Sequence, residues 1–379
     1  MRERRRIGMK QKYDVAAYVW PSYTGDEPRT KIFWPEGYGE WQTVHNAKKN
    51  GTEKPEGYVW DRRPLWGYVN EANPDVMEME IKCAYDHGVN VFIYDWYWYD
   101  DRPFLENCLN DGYLKAKNND LVKFYLMWAN HNANHMWSVE LSGSVKETIW
   151  RGDVTMDIFK RLVARWIEKY FSHPSYYKID GKPVFSIYTM GNLFKGLGGT
   201  DGVREAFRYF RDEVKKAGFP GLHLQAVYNA FEGFDYDGRY GGEAGDVYTL
   251  LGFDSVTHYN MGNQSDRNCD YTEMIEYHKR EYERMDTTGS LYFPQVSLGW
   301  DNNPRYRHFT PNVMKNNTPE NVKIALRQAK EYVDTHSLPA PLVVINSWNE
   351  WTETSYLQPD NLYGYGYLDA VKEVFKDEE

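Results

Sequence analysis

Leu342-Val343-Val344-Ile345-Asn346-Ser347-Trp348 is a near-continuous apolar, β-branched run that breaks into Asn349-Glu350-Trp351-Thr352-Glu353. Such a run fits a strand buried on both faces, as in a parallel sheet. Its exit delivers two carboxylates together. In a helical turn, positions i and i+3 lie on one side, so Glu350 and Glu353 are expected to face one cleft framed by Trp348 and Trp351. The first turn of a helix is also often acidic because the dipole favours it, and the motif by itself leaves both readings open.

Seven further runs of the same kind precede it, at Asp14–Trp20, Asn90–Asp95, Phe124–Ala129, Val184–Tyr188, Leu222–Val227, Phe253–Tyr259 and Tyr292–Gly299. Amphipathic stretches with helical spacing lie between and after them, near 74–88, 103–117, 154–171, 201–217, 270–285, 318–336 and 362–377. Thr318-Pro319-Glu320 reads as N-cap, first-turn proline and early acid, and Lys216-Ala217-Gly218 as a glycine stop. The connection 230–252, rich in Gly and Asp, is only weakly helical.

Eight alternations predict an α/β chain folded as a (β/α)8 TIM barrel, with a doubly wound open sheet as the alternative. No glycine-rich fingerprint follows the first strand, which lowers that alternative. Lys195-Gly196-Leu197-Gly198-Gly199 reads as a flexible loop rather than a phosphate cradle. The expected organisation is a flexible N-terminus at 1–12 and one catalytic domain at 13–379, with a long first loop, 21–73, covering one barrel end.

The composition is unusual in its rings. Fourteen Trp, 32 Tyr and 17 Phe make 17% of the 379 residues aromatic, and the tryptophans recur where apolar runs end. Rings with an apolar face and a polar edge suit carbohydrate, although many must be core. A net charge of −10 and a pI near 5.6 argue against nucleic acid as a partner. Arg2 to Arg6 form a basic cluster with no apolar segment after it, so neither a signal peptide nor membrane insertion is expected from the sequence as given. The expectation is a soluble protein, cytoplasmic, or periplasmic if a leader has been removed.

Cys83, Cys108 and Cys269 are odd in number and have no paired spacing, which argues against a disulfide framework and a zinc site. Asn50-Gly51-Thr52, Asn263-Gln264-Ser265 and Asn316-Asn317-Thr318 match the glycosylation triplet, which matters only in a eukaryotic secretory context.

Chemistry in a (β/α)8 barrel gathers at the C-terminal strand ends. The exits offer Tyr18 and Trp20; Asp95, Trp96 and Trp98; Trp128, Asn130, His131, Asn132, His135 and Trp137; Tyr188; Tyr228; His258 and Tyr259; Trp300, Asp301 and Arg305; then Trp348, Asn349, Glu350, Trp351 and Glu353. Amides, imidazoles and indoles together line a cavity able to give and take hydrogen bonds from a polyhydroxylated ligand. Paired acids among such rings are the equipment of glycosidic-bond cleavage. His131 and His135 are four apart but enclose no glutamate, so a zinc-protease reading is poor. No metal, nucleotide or flavin is required by these motifs.

Four motifs carry a family resemblance: Tyr38-Gly39-Glu40-Trp41 with Val44 and Ala47; Trp128-Ala129-Asn130 with Asn132 and Trp137; Gly299-Trp300-Asp301-Asn302 with Pro304-Arg305; and Trp348-Asn349-Glu350-Trp351-Thr352-Glu353 continuing to Pro359, Tyr363-Gly364-Tyr365 and Tyr367-Leu368. Together they resemble glycoside hydrolase family 99, and within it the WbsX-like branch found in bacterial polysaccharide loci. The resemblance implies a retaining hydrolase of α-linked, mannose-type glycans, with an oligo- or polysaccharide as partner. It gives Glu350 the role of the base that helps the sugar's own 2-hydroxyl attack the anomeric carbon, and Glu353 that of the general acid. Trp41 joins the expected sugar-binding set through its motif. Thr354 stands where the family commonly has glycine, and Gln358 where an acid usually precedes the proline. A polysaccharide-biosynthesis glycosyltransferase and a non-catalytic glycan-binding protein are the alternatives; no nucleotide-phosphate motif supports the first, and the intact acid pair lowers the second.

Overall fold

The computed structural model describes residues 11–48, 54–134, 137–139, 148–228, 244–262 and 269–377. Eight parallel strands form the barrel wall: β1 (Asp14–Val19), β2 (Val91–Tyr99), β3 (Lys123–Trp128), β4 (Lys182–Ile187), β5 (His223–Tyr228), β6 (Ser255–His258), β7 (Gln295–Ser297) and β8 (Leu342–Asn346). They follow one another in chain order around the sheet, and β8 returns to β1 with Ala16 opposite Val344. The gap between β6 and β7 is closed by a parallel bridge between Val256 and Tyr292. All eight expected runs therefore lie in or at the wall of a (β/α)8 barrel. Their continuous apolarity follows from burial on both faces: Val343, Val344 and Ile345 are fully buried.

The helical layer follows ordinary capping rules. Asn73 caps the helix Pro74–Asp86 by accepting from the Asp75 amide, and Thr318 caps Pro319–Thr335 by accepting from the Asn321 amide, with proline in the first turn each time. The helix Gly199–Lys216 buries Val203, Phe207, Phe210 and Val214 at three- and four-residue spacing against the wall.

Two expectations need correction. The segment 103–117 is not a regular helix. Arg102–Phe104 folds back on β2 as an antiparallel strand, and only short wide and tight turns follow, at Cys108–Gly112 and Tyr113–Lys115. The physical cause is tertiary: pairing with β2 holds Arg102–Phe104 extended, and Gly112 packs so closely on the first loop that a Cβ would stand 2.1 Å from the Glu71 carbonyl oxygen. The glycine-rich run after β4 is no flexible loop either: Met190–Leu197 is helical, and Gly198 and Gly199, both at φ +84°, form the corner into the next helix.

The 230–252 connection ends in a helix, Ala244–Leu251. The triplets at Asn50 and Asn263, His135, most of this connection and the residues of the N-terminal basic cluster lie outside the described residues. Among the described residues, no helix is long and apolar enough to cross a membrane.

Candidate active site

β8 ends in a tight hook. The two-residue strand Asn349–Glu350 pairs antiparallel with Ser355–Tyr356, and the turn Trp351–Glu353 joins them. Thr354 closes the hook at φ +57°, a left-handed conformation that explains why glycine suits this position. Its hydroxyl donates to the Asp301 carbonyl at 2.9 Å and accepts from Trp60 Nε1 at 2.8 Å. The Asp301 amide in turn donates to the Glu353 carbonyl at 2.8 Å, which docks the β7 exit on the β8 hook.

That docking brings Arg305 between the two glutamates. Its Nη2 donates to Glu350 Oε1 at 2.5 Å and its Nη1 to Glu353 Oε1 at 2.7 Å, while its Nε donates to Glu40 Oε1 at 3.0 Å. Glu40 comes from the long first loop and is fully buried. Gly39, at φ +65°, allows the approach, since a Cβ there would lie 1.8 Å from the Ser22 carbonyl oxygen. Glu40 also accepts from Trp20 Nε1 and from Thr352 Oγ1, so it ties the cavity wall to the hook.

The second arm of the site joins two carboxylates through a phenol. Tyr259 Oη lies 3.0 Å from Asp95 Oδ2 and 3.2 Å from Glu350 Oε2. One hydroxyl proton cannot serve two acceptors, so the trio holds an additional proton whenever both contacts are hydrogen bonds. Burial pushes Asp95 well above the ordinary carboxylate range, with Glu353 nearby adding to it. Burial also raises Glu350 well above its ordinary value, followed by the Glu353 charge, against the pull of Arg305. Glu353 is raised for the same first reason, with Arg305 again opposing. Both Glu350 oxygens have side-chain partners, whereas Glu353 Oε2 has none among the described residues.

These groups wall a cavity of about 270 Å³, together with Trp20, Tyr97, Trp137, Tyr188, His131, Asn132 and Asn134. Burial lowers the His131 pKa, which favours the neutral ring. A neighbouring cavity of about 540 Å³ shares His131 and Asn132 as its wall and continues along Thr189, Asn192 and Lys195. Among the described residues, no cluster of His, Cys, Asp or Glu could hold a metal.

Of the residues expected at the site, Trp20, Asp95, Asn132, Trp137, Tyr188, Tyr259, Arg305, Glu350 and Glu353 meet at this cavity. The others do not line it. Trp96 donates to Glu106 and packs on Trp166 in the helical layer, with Trp98 stacked beside it; Trp128 also packs on Trp166. Trp348 donates to Glu80 at 2.7 Å, Trp41 to the Val69 carbonyl at 2.7 Å, and Trp351 to Gln358 Oε1 at 2.7 Å. Asn130 braces Thr189, and Asn349 braces Trp20, each through two backbone hydrogen bonds. Tyr18 packs on Tyr259 and donates to the His258 carbonyl, while His258 pairs with the Tyr292 hydroxyl at 2.8 Å. Tyr228 packs tilted against His258 under Arg284. Asp301 accepts from Tyr58 at 2.7 Å, and Trp300 is buried beside Gly262.

The selection by sequence passed over Tyr97 and Glu40, whereas His131, offered among the strand-exit residues, does line the cavity. Strand parity is the signal for the first: Asp95 and Tyr97 share the inner face of β2, and Trp96 and Trp98 the outer one. Glu40 sits beside Trp41 in the quoted first-loop motif, and it is the acid rather than the indole that reaches Arg305.

Two curated relatives from Xanthomonas campestris pv. campestris, each described as "Uncharacterized protein WxcX", are 25% identical over 368 residues, covering 92% of this chain and 47% of theirs. The chain thus spans about half the length of these relatives. A solved "Glycoside hydrolase-like protein" superposes with a TM-score of 0.61 at 16% identity, covering 97% of this chain and 95% of its own. The GH99 endo-alpha-mannosidase from Bacteroides thetaiotaomicron does so with a TM-score of 0.59 at 13% identity, covering 96% of each chain. At such identities the likeness is one of fold. The family described as "Glycosyltransferase WbsX" matches residues 15–371, from the first barrel strand into the last helix, and the protein belongs to that family.

Proposed function

We propose that the protein is a glycoside hydrolase that cleaves α-linked, mannose-type glycosidic bonds in a polysaccharide with retention of configuration. The observation that carries this reading is the pairing of Glu350 and Glu353 on one guanidinium at a ring-walled cavity. In the mechanism that the family resemblance suggests, Glu350 takes the proton of the sugar's 2-hydroxyl as that oxygen attacks the anomeric carbon. Glu353 gives its proton to the departing oxygen. Water then opens the anhydro sugar: Glu353 takes a proton from the water, and Glu350 returns one to the 2-oxygen. The unpartnered Glu353 Oε2 suits the acid, since its proton has no competing protein acceptor. Raised carboxylate pKa values bring both groups nearer to neutral pH, where acid and base catalysis are most effective.

The family's name favours a second reading, transfer from a sugar nucleotide. A diphosphate entering this cavity would meet Asp95, Glu350 and Glu353, and the one arginine or lysine among its lining residues, Arg305, is already committed to three acids. That electrostatics disfavours an anionic donor. Incubation with α-mannans and with bacterial and plant polysaccharides, with and without sugar nucleotides, tests the two. Donor-free release that disappears in Glu353→Gln is expected. Product that forms only when a sugar nucleotide is added would replace the hydrolase by the transferase.

A further inference from the structure

Beneath the β8 hook lies a second pair of acids that the proposed reaction does not use. Glu71 ends the long first loop, Glu80 lies on the helix Pro74–Asp86, and both are fully buried. The partners of these acids are neutral throughout. Gln358 Nε2 donates to Glu71 Oε1 at 3.1 Å and to Glu80 Oε2 at 3.0 Å, so a single amide nitrogen spans both carboxylates. Asn349 Nδ2 donates to both Glu71 oxygens at 3.1 and 3.0 Å, and Trp348 Nε1 to Glu80 Oε2 at 2.7 Å. The Cys108 thiol lies 3.7 Å from Glu71 Oε2. Glu80 Oε1 has no partner among the described residues.

Two carboxylates sealed from water, bridged by one amide and without a cation, cannot both stay ionised at low cost. Among the described residues, no cation pairs with either acid. Cys108, Cys83 and Tyr94 are themselves pushed toward their neutral forms, first by burial, and Tyr23 likewise.

We propose that Glu71 and Glu80 share one proton, and that this singly charged pair is the clamp that positions Asn349, Trp20 and the strand end carrying Glu350. The mechanical path is short. Asn349 Nδ2, held by Glu71, also donates to the Trp20 carbonyl at 3.0 Å, while its Oδ1 accepts from the Trp20 amide at 2.8 Å. Trp20 lines the cavity and Glu350 follows Asn349 in the chain. Burial, followed by the neighbouring Glu80 charge, places Glu71 well above the ordinary range, and burial pushes Glu80 up to about 7. Gln358 belongs to the same design: an acid in its place would add a third negative charge and remove the bridging donor.

The sign of the linkage follows from the raised values. The unfolded chain loses both protons near the ordinary carboxylate value, while in the folded chain Glu80 holds its proton until about pH 7 and its charge then keeps Glu71 raised, so the pair lowers stability as pH rises through that interval. The test is thermal unfolding of the full chain between about pH 5 and about pH 8, wild type beside Glu71→Gln and Glu80→Gln. In at least one variant, the Tm difference from wild type should rise by about 4 °C across that range. In the same variant, the infrared carbonyl stretch of a protonated carboxyl at neutral pH should weaken. A Tm difference flat with pH in both variants, an unchanged infrared band in both, or failure of both to fold at about pH 5, would each overturn the proposal. This test uses no glycan, so it stands or falls apart from the proposed reaction.

Discussion

Arg305→Met removes the only cation that pairs, among the described residues, with three buried or nearly buried acids, Glu40, Glu350 and Glu353. Removing one partner of a buried ion pair costs about 3–5 kcal/mol, because the charge left behind has lost both water and counterion. At about 2.1 cal/mol/K per residue, a chain of 379 residues unfolds with about 0.8 kcal/mol/K, so about 4 kcal/mol lowers Tm by about 5 °C. The deficit should depend on pH with a definite sign. Burial already raises Glu350 and Glu353, and without Arg305 opposing it their folded pKa values rise further above the unfolded ones. Such groups cost little below the unfolded value and progressively more as pH climbs toward the folded value. Differential scanning calorimetry at about pH 5 and about pH 8 should therefore find the larger Tm deficit at the higher pH. An equal deficit at both, or one under about 1 °C throughout, would refute the view that Arg305 balances a buried acid cluster.

In Glu353→Gln, turnover of an unactivated glycan should fall about 10²–10⁴-fold, with a much smaller loss on an aryl glycoside whose leaving group needs no proton. Comparing kcat on the two substrates checks this; equal losses would count against the acid role. Glu106→Gln should destabilise the chain chiefly above the carboxylate range. Burial would raise Glu106, but the Arg165 hydrogen bond and charge prevail and hold it below its ordinary value. Its contribution is present above the unfolded pKa and lost as pH falls, so the variant and the wild type should converge in acid melts. Thr354→Gly exchanges relief of a left-handed strain of about 1–2 kcal/mol for two side-chain hydrogen bonds of about 1 kcal/mol each. The expected Tm change is within about 2 °C, measured by the same melts.

The barrel was legible because a strand buried on both faces has an apolar signature that tolerates little else, and all eight runs carried it. The site was legible in part for the same reason, since polar and aromatic residues at strand ends break that signature. What ring content could not give was direction. In β3, Met127 and Ala129 face the cavity while Trp128, between them, faces the helices. Counting tryptophans at exits therefore selected residues of both faces, where period-two parity separates them. Glu40 was hard to find for another reason. It stands 265 residues from Arg305 in sequence, and only the first loop folding over the barrel mouth joins them. The expected helix at 103–117 failed because Arg102–Phe104 pairs with β2 and only two short turns follow, a tertiary contact invisible in local periodicity.

The most direct test of the acid–base pair is glycan hydrolysis in heavy-oxygen water without any sugar nucleotide. The account predicts that each released glycan carries one heavy oxygen at its new reducing end, and that Glu350→Gln and Glu353→Gln each slow release by at least about 100-fold. Product formation that requires a sugar nucleotide and incorporates no heavy oxygen would contradict it.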